Sequence, residues 1–249
     1  MLATLTVIVI IGCVKDIPYT DQPIPISFDA GLSSVNTRAP IANLTSGLTG
    51  IQILRAADIA TSPDWSVVSS VATTANIAAG GSVGSLSVAQ YYNANPALNA
   101  WFMAFYPSGT MGTGKVSWTI TGQEDIIVAP SVSAGNKTIP VNPTTLAFAH
   151  KLTQLQFEVL AASATAITQW GTVSSIKVNA DTALELTLST NALASASSPV
   201  NTDLTISGTF PVTLTTSAAA VGVIMVKPKD ALNTIKVTTA NSPEQTVSI

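Results

Sequence analysis

The sequence predicts an all-β protein built from β-sandwiches, on three observations. Of its 249 residues, 47% are hydrophobic but only 9% are charged. The polar residues are mainly Ser, Thr, Asn and Gln, and a hydroxyl-rich, β-branched composition favours strands over helices. Apolar side chains alternate with period two along most of the chain. Turn residues recur about every ten residues, a spacing typical of sandwich folds.

The first alternating run is Ile24, Ile26 and Phe28, which predicts an N-terminal strand. Residues 101–106 carry large apolar side chains of both parities, so this strand is expected to be buried on both faces. A change of parity near Thr153-Gln154 predicts a β-bulge. The other expected strands are centred on Ile51/Ile53, Val116/Trp118/Ile120, Ile126/Val128, Ile139/Val141, Leu146/Phe148/His150, Leu155/Phe157/Val159, Ile176/Val178, Leu184/Leu186/Leu188, Ile206, Phe210/Val212/Leu214, Val221/Val223/Met225 and Ile235/Val237.

One short helix is predicted at Ser87–Asn93, with Ser87 as N-cap and Pro96 beyond its end. The stretch Pro130–Pro143 is rich in Ser, Gly, Asn and Pro and is the expected domain boundary. It divides the body into two sandwiches, residues 39–140 and 141–249.

Composition argues against several kinds of function. A net charge of −3 gives no electrostatic footprint for nucleic acid. One cysteine and one histidine provide neither a multi-histidine nor a thiolate metal site, and no cofactor is expected. His150 is interpreted as a structural residue packed and hydrogen-bonded at a strand. Glu124-Asp125 is interpreted as a solvated turn, and Gly109–Gly114 as a hairpin loop. The sequence does not predict an enzyme.

The N-terminus has the pattern of an export signal. Residues 1–12 are uncharged and mostly apolar, which fits the core of a signal peptide but is too short to span a bilayer. Ile10-Ile11-Gly12-Cys13 looks like a bacterial lipobox, in which cleavage leaves the Cys13 thiol to carry a lipid. The alternative is a buried first strand with Cys13 as a free core cysteine.

Three ordered segments carry a family resemblance: Tyr106-Pro107, the acidic strand Asp125–Ala129, and Phe148–Leu152 with its Phe-x-His. In this order the sequence resembles the fimbrillin family of Bacteroidetes, the Mfa-like lipoproteins and type V pilins. The resemblance implies two tandem transthyretin-like β-sandwich domains in a precursor secreted to the outer membrane.

The resemblance also implies an assembly route. Residues 13–38 correspond to a lipidated propeptide that holds a removable first strand with Ile24, Ile26 and Phe28. An arginine-specific protease would cut between Arg38 and Ala39. The other arginine, Arg55, ends an alternating stretch, so a cut there would destroy a core strand. The expected donor strand, which enters a neighbour's vacated groove, lies in the C-terminal tail with Ile235, Val237, Val247 and Ile249.

The expected partners are other copies of the chain or related pilus subunits, and the expected location is the cell surface, in the fimbrium and the outer membrane. One alternative is a related surface lipoprotein that stays anchored through Cys13 and acts as tip, anchor or adhesin. Another is a glycan-binding β-sandwich in which Trp65 or Trp170 stacks on sugars. The alternative for Arg38 itself is an ordinary exposed loop arginine.

Overall fold

The computed structural model of the protein describes residues 22–32, 41, 44, 46–198, 200–228 and 234–248. Strands dominate this part of the chain, and they are joined by a short α-helix, α1 (Ala164–Trp170), and a 3-10 turn at Trp65–Val67. The all-β expectation is therefore confirmed. The strands are β1 (Phe28–Leu32), β2 (Leu48–Arg55), β3 (Thr73–Ile77), β4 (Trp101–Tyr106), β5 (Thr110–Gly112), β6 (Lys115–Thr119), β7 (Ile127–Ser133), β8 (Thr144–His150), β9 (Thr153–Val159), β10 (Val173–Asp181), β11 (Ala183–Thr187), β12 (Ala192–Ser195), β13 (Asn201–Thr205), β14 (Ala219–Val226), β15 (Thr234–Thr239) and β16 (Ser242–Ser248).

A six-stranded sheet has the order β1-β8-β7-β4-β2-β3. β1 runs parallel to β8, and the remaining neighbours are antiparallel. β4 is buried on both faces, as its pattern predicts: Phe102 and Ala104 lie in one core, and Met103 and Phe105 lie in another. This sheet therefore separates two apolar layers.

A second sheet, β12-β11-β6-β5, shares a core with one face of the six-stranded sheet. Leu184 and Leu186 of β11 join Trp118 of β6 and Phe105 of β4 in this core. The rings of Phe105 and Trp118 meet edge to face with centroids 5.6 Å apart, an arrangement that aromatic quadrupoles favour. These two sheets form a β-sandwich.

Two further sheets, β13-β10-β15-β16 and β14-β9, enclose a third core. Ile176 and Val178 of β10 lie in it with Ile224 of β14, and all three are buried. Leu155 and Phe157 of β9 pack against it but are only half-buried. The C-terminal part therefore has an incompletely covered core.

The sheets do not separate at residues 140 and 141, where the domain boundary was expected. β7 and β8 lie on opposite sides of that position and pair with each other. β6 and β11 also pair across it, in a five-residue antiparallel register. The Pro- and Gly-rich stretch Pro130–Pro143 instead covers part of β7 and the connection from it to β8.

The predicted helix at Ser87–Asn93 is wrong, because tertiary contacts hold this segment in an irregular extended path. Ser87 exchanges hydrogen bonds with Thr74 of β3, and the carbonyl of Gln90 accepts from Ile26 N–H. The observed helix α1 was not predicted. Ser163 caps its N-terminus by accepting from the N–H of Ala166, and Gly171, at φ +71°, follows its last residue.

Three local strand predictions are also corrected. The parity change near Thr153 is a break and not a bulge, because β8 ends at His150 and β9 begins in another sheet. Ile139 lies in an exposed turn, whose amides bond the side chain of Asn136. The stretch around Val212 forms a single bridge to Val173, since Pro211 has no N–H to donate to a ladder.

Candidate functional site

Residues 24–32 lie in a groove that provides hydrogen-bond partners on both sides. On one side β1 pairs with β8 in parallel register from Phe28–Thr144 to Leu32–Phe148. On the other side Ala30 N–H donates to the Gly81 carbonyl at 2.8 Å, and Ile26 N–H donates to the Gln90 carbonyl at 2.8 Å. The groove between β8 and residues 81–92 is called the first-strand slot below.

Every second side chain of this strand is apolar, and from Ile26 onward these side chains point into the core. Ile26 and Phe28 are each only 3% exposed, and Ala30 and Leu32 pack against the same cluster half-buried. The ring of Phe28 meets that of Phe102 edge to face at 4.9 Å. Ile24 is 36% exposed, so the prediction that it belongs to the buried set is wrong. Ile26 and Phe28 are therefore the two side chains that fill the slot, and they are called its plugs below.

Asn142 holds the start of the strand and was not identified from the sequence. Its Oδ1 accepts from the Ser27 N–H at 2.8 Å and from the Ser27 hydroxyl, and its Nδ2 donates to the Pro25 carbonyl at 3.3 Å. The N–H of the buried Thr144 donates to the Ser27 carbonyl at 2.9 Å. An asparagine directly before Pro143 and a strand was the only available signal.

A buried acid–imidazole pair lies near Ile41. His150 Nδ1 is 3.0 Å from Asp125 Oδ2, and both side chains are almost completely buried. The same carboxylate accepts from the Ile41 N–H at 3.3 Å. The geometry agrees with a structural His150, whereas the prediction of a solvated Asp125 is wrong.

Glu124, next to it, does occupy a turn. Its carboxylate accepts from the Thr121 N–H at 2.7 Å and from the Thr121 hydroxyl at 2.8 Å. Burial raises the pKa of Glu124, but these hydrogen bonds outweigh it, so its pKa is below its ordinary value. The carboxylate therefore remains charged and closes the turn before β7.

The C-terminal residues expected to act as a donor lie in a folded hairpin. Ile235 and Val237 are in β15, which pairs with both β10 and β16, and they pack half-buried against the third core. Val247 is in the edge strand β16 and is half-exposed. Ile249 lies outside the described residues, as do the predicted lipidation residue Cys13 and the predicted cleavage pair Arg38 and Ala39.

The tryptophans proposed as sugar platforms differ in environment. Trp65 is buried in the core that holds Phe105 and Trp118, so it has no free face. Trp170 is 37% exposed and borders a cleft of about 540 Å³ with Val173, Leu214, Val237 and Thr239. Among the described residues, no group of three or more His, Cys, Asp or Glu side chains could hold a metal ion. In the same residues, no helix is long and apolar enough to cross a membrane.

The sequence from residue 37 to residue 248 matches a protein family described as fimbrillin-like. The chain belongs to this family. Membership confirms the resemblance found in the sequence, supports a role as a pilus or adhesion subunit, and implies a cell-surface location. It also indicates a structural role. Among curated proteins, none matches the fimbrillin-like chain significantly.

Solved structures with the same fold come from Bacteroides species. A candidate cell adhesion protein from Bacteroides uniformis has 16% identity and a TM-score of 0.58, covering 92% of this chain and 85% of that one. One from Bacteroides ovatus has 16% identity and a TM-score of 0.57, covering 91% and 86%. A fimbrial protein from Bacteroides vulgatus has 12% identity and a TM-score of 0.53, covering 90% and 87%. At these identities the likeness establishes the fold.

Proposed function

We propose that this protein is a structural subunit of a type V pilus that assembles by donor-strand exchange. In this proposal the precursor reaches the outer membrane as a lipoprotein through Cys13. A protease cuts after Arg38, and the segment that carries the lipid and the first strand leaves. A strand from a neighbouring subunit then fills the first-strand slot.

The observation that carries the proposal is the construction of the slot. It holds one strand by main-chain bonds on both edges and by two buried plugs, Ile26 and Phe28. Hydrogen bonds to the main chain tolerate different sequences in the bound strand. Pockets at every second position select apolar side chains. Strand addition depends on both properties. Residues 33–40, which include Arg38, connect this strand to the rest of the chain.

The energies are compatible with exchange. Burying the two plugs contributes about 3–6 kcal/mol as an upper estimate. Whole domains are stable by about 5–15 kcal/mol. Loss of the strand would thus expose an apolar groove and an unpaired edge of β8, both of which favour capture of a replacement strand.

The surroundings of Arg55 favour Arg38 as the processing residue. Arg55 ends β2 with its Nη2 2.8 Å from Asp58 Oδ2, and its guanidinium lies 5.4 Å from the centre of the Phe102 ring. These contacts give Arg55 a structural role. Arg38 is the other arginine of the chain.

Cell-surface material from cells that express wild-type or Arg38→Ala protein tests this function by gel electrophoresis. We expect a ladder of heat-labile multimers for the wild type and a lipid-bound monomer for the variant. Arg38→Lys keeps the charge but removes the arginine, so it should behave like Arg38→Ala. Thr37→Ser is the matched control and should leave the ladder intact. Equal monomer bands in all four strains would contradict the proposal.

A second candidate is a surface lipoprotein of the same family that does not donate a strand. The folded C-terminal hairpin favours it, because Ile235 and Val237 are already used in the chain's own sheet. In that case Cys13→Ser would abolish metabolic lipid labelling, while Arg38→Ala would leave the size and location of the wild-type protein unchanged.

A further inference from the structure

We propose that two ion pairs of opposite polarity form a clasp that keeps the C-terminal hairpin, β15 and β16, on its own sheet before assembly. The clasp consists of Lys177 with Glu244 and of Asp203 with Lys236. This inference rests on the proposed function, since it assigns a regulated release to the segment expected to act as donor.

Both ion pairs join the hairpin to the rest of the sheet. Lys177 of β10 places its Nζ 2.9 Å from Glu244 Oε2 of β16, across the intervening β15. Lys236 of β15 binds the carboxylate of Asp203 in β13, across the intervening β10. The hairpin thus provides one anion and one cation, and the body of the sheet provides their complements. If the hairpin were shifted by two residues along the neighbouring strand, both ion pairs would lose their partners.

The four charges also support one another. Lys236 Nζ is 3.5 Å from Glu244 Oε1, and Asn179 Nδ2 donates to Asp203 Oδ1 at 2.8 Å. The hydrogen bond from Lys177 lowers the pKa of Glu244, and the one from Lys236 lowers the pKa of Asp203. The bond to Asp203 raises the pKa of Lys236. All three shifts favour the charged forms.

The opposite face of the hairpin is loosely packed. Val237, Thr239 and Gln245 border the cleft of about 540 Å³ that also contacts Trp170 and Leu214. The Thr239 hydroxyl is buried without a hydrogen-bond partner among the described residues. Such a face gains less from burial than a filled core does, so the ion pairs on the other face are a relevant part of the attachment.

Hydrogen bonds outside the clasp also attach the hairpin. β15 pairs with β10, and the turn between β15 and β16 is tied to the body by Ala240 N–H, which donates to Thr172 O at 2.8 Å. Asn241 donates to the carbonyls of Trp170 and Thr168 at 3.2 and 3.1 Å. Loss of the clasp should therefore loosen the strands and leave the turn in place.

Hydrogen–deuterium exchange on the full-length protein tests the clasp. In Glu244→Gln we expect the amides of residues 234–248 to exchange about two- to fivefold faster, while those of β4 keep their wild-type protection. Glu158→Gln removes an exposed glutamate of β9 outside the clasp and is the matched control, for which no change is expected. Unchanged exchange at residues 234–248 in Glu244→Gln would overturn the clasp.

A charge swap tests whether the hairpin is held by the attraction between the two charges or by the size of the two side chains. Lys177→Glu should accelerate exchange of the hairpin. Combining it with Glu244→Lys should restore part of the protection, because a lysine at position 244 regains an opposite charge at position 177 but faces Lys236. Sodium chloride at about 1 M should reduce the difference between wild type and Glu244→Gln, because exposed charges are screened over a few ångströms at that concentration. Failure of the double variant to recover any protection would contradict the ionic mechanism.

The same variants tested for multimers distinguish the clasp from the proposed function. Faster exchange with faster multimer formation in Glu244→Gln supports both. Faster exchange with an unchanged rate of multimer formation overturns the regulatory role. If Glu244→Gln exchanges faster but neither the variant nor the wild type forms multimers, the proposed function and the regulatory role are both overturned. The clasp would then only attach the hairpin to its sheet.

Discussion

Gly81 forms part of the wall of the first-strand slot. A Cβ built on it would lie 2.4 Å from the Ala30 carbonyl oxygen of β1, and its φ is +98°. The neighbouring Gly80 has a similar φ of +94°, but a Cβ there would meet open space. Both glycines thus have a positive φ, but only Gly81 lies against the first strand.

This pair gives a prediction at the scale of one residue. Both Gly→Ala changes should cost about 1–2 kcal/mol for the positive φ. Gly81→Ala should cost about 1–3 kcal/mol more, because its methyl group would push against β1. Thermal unfolding of the intact chain should show the larger loss for Gly81→Ala. If the proposed cleavage removes β1, the difference between the variants should vanish after it. Equal losses in the intact chain would show that the contact does not hold the strand.

Residue-level chemistry was only partly predictable. Neighbouring residues on an extended chain point to opposite sides, which explains why Glu124 closes a turn while Asp125 is buried with His150. The pattern did not show which of the two would be buried. Asn142 was missed because its role depends on Ser27, 115 residues away in the chain.

At the scale of elements, the charge clasp predicts a pH dependence. Glu244 and Asp203 have lowered pKa values in the folded protein. Their contribution is therefore present above the ordinary carboxylate pKa of about 4 and is lost as pH falls through the lower folded values. Lys236 has a raised pKa, so its contribution is lost only above about pH 10. The hairpin should remain attached between these limits.

NMR spectra of the full chain between pH 7 and pH 2.5 check this expectation. Amide signals of β15 and β16 should shift together below about pH 4, before the signals of β4 change. In Glu244→Gln the early shift should be reduced, because one of the two titrating carboxylates is gone. A hairpin that changes at pH 5–6 would require a different titrating group.

Strands with strong alternation were predictable because one face of each is buried. β4 was recognised even as a strand buried on both faces, since its apolar residues occupy both parities. The helix α1 was missed because its capping residue Ser163 is one of many serines in the chain and the helix has only seven residues. Alternation failed at Ile139 and Pro211, where local side-chain bonding and the missing N–H of proline prevented a ladder.

At the scale of the whole molecule, strand pairing connects the two halves of the sequence. β6 and β11 pair although their residues lie about 70 positions apart, and Trp118, Leu184 and Leu186 share a core. Local patterns contain no information on such partners, so a boundary placed by composition at residues 140 and 141 divided sheets that are continuous.

This connection predicts that residues 141–249 do not fold as an isolated fragment. β11 would lose β6, and β8 would lose β7 and β1, so about five large buried side chains would become exposed at roughly 1.5–3 kcal/mol each. Amide NMR spectra of the fragment should show the narrow dispersion of an unfolded chain. A well-dispersed spectrum would contradict the inferred dependence on the N-terminal half.

In the proposed assembly, the first strand occupies its slot only until a neighbour's strand replaces it. Mass spectrometry of subunits from the heat-labile surface multimers tests this replacement, because it identifies the N-terminal residue of each subunit. We expect subunits that begin at Ala39 and lack residues 13–38, including Cys13, Ile26 and Phe28. Multimers whose subunits retain residues 24–32 would contradict it, because their slots would still hold the chain's own strand.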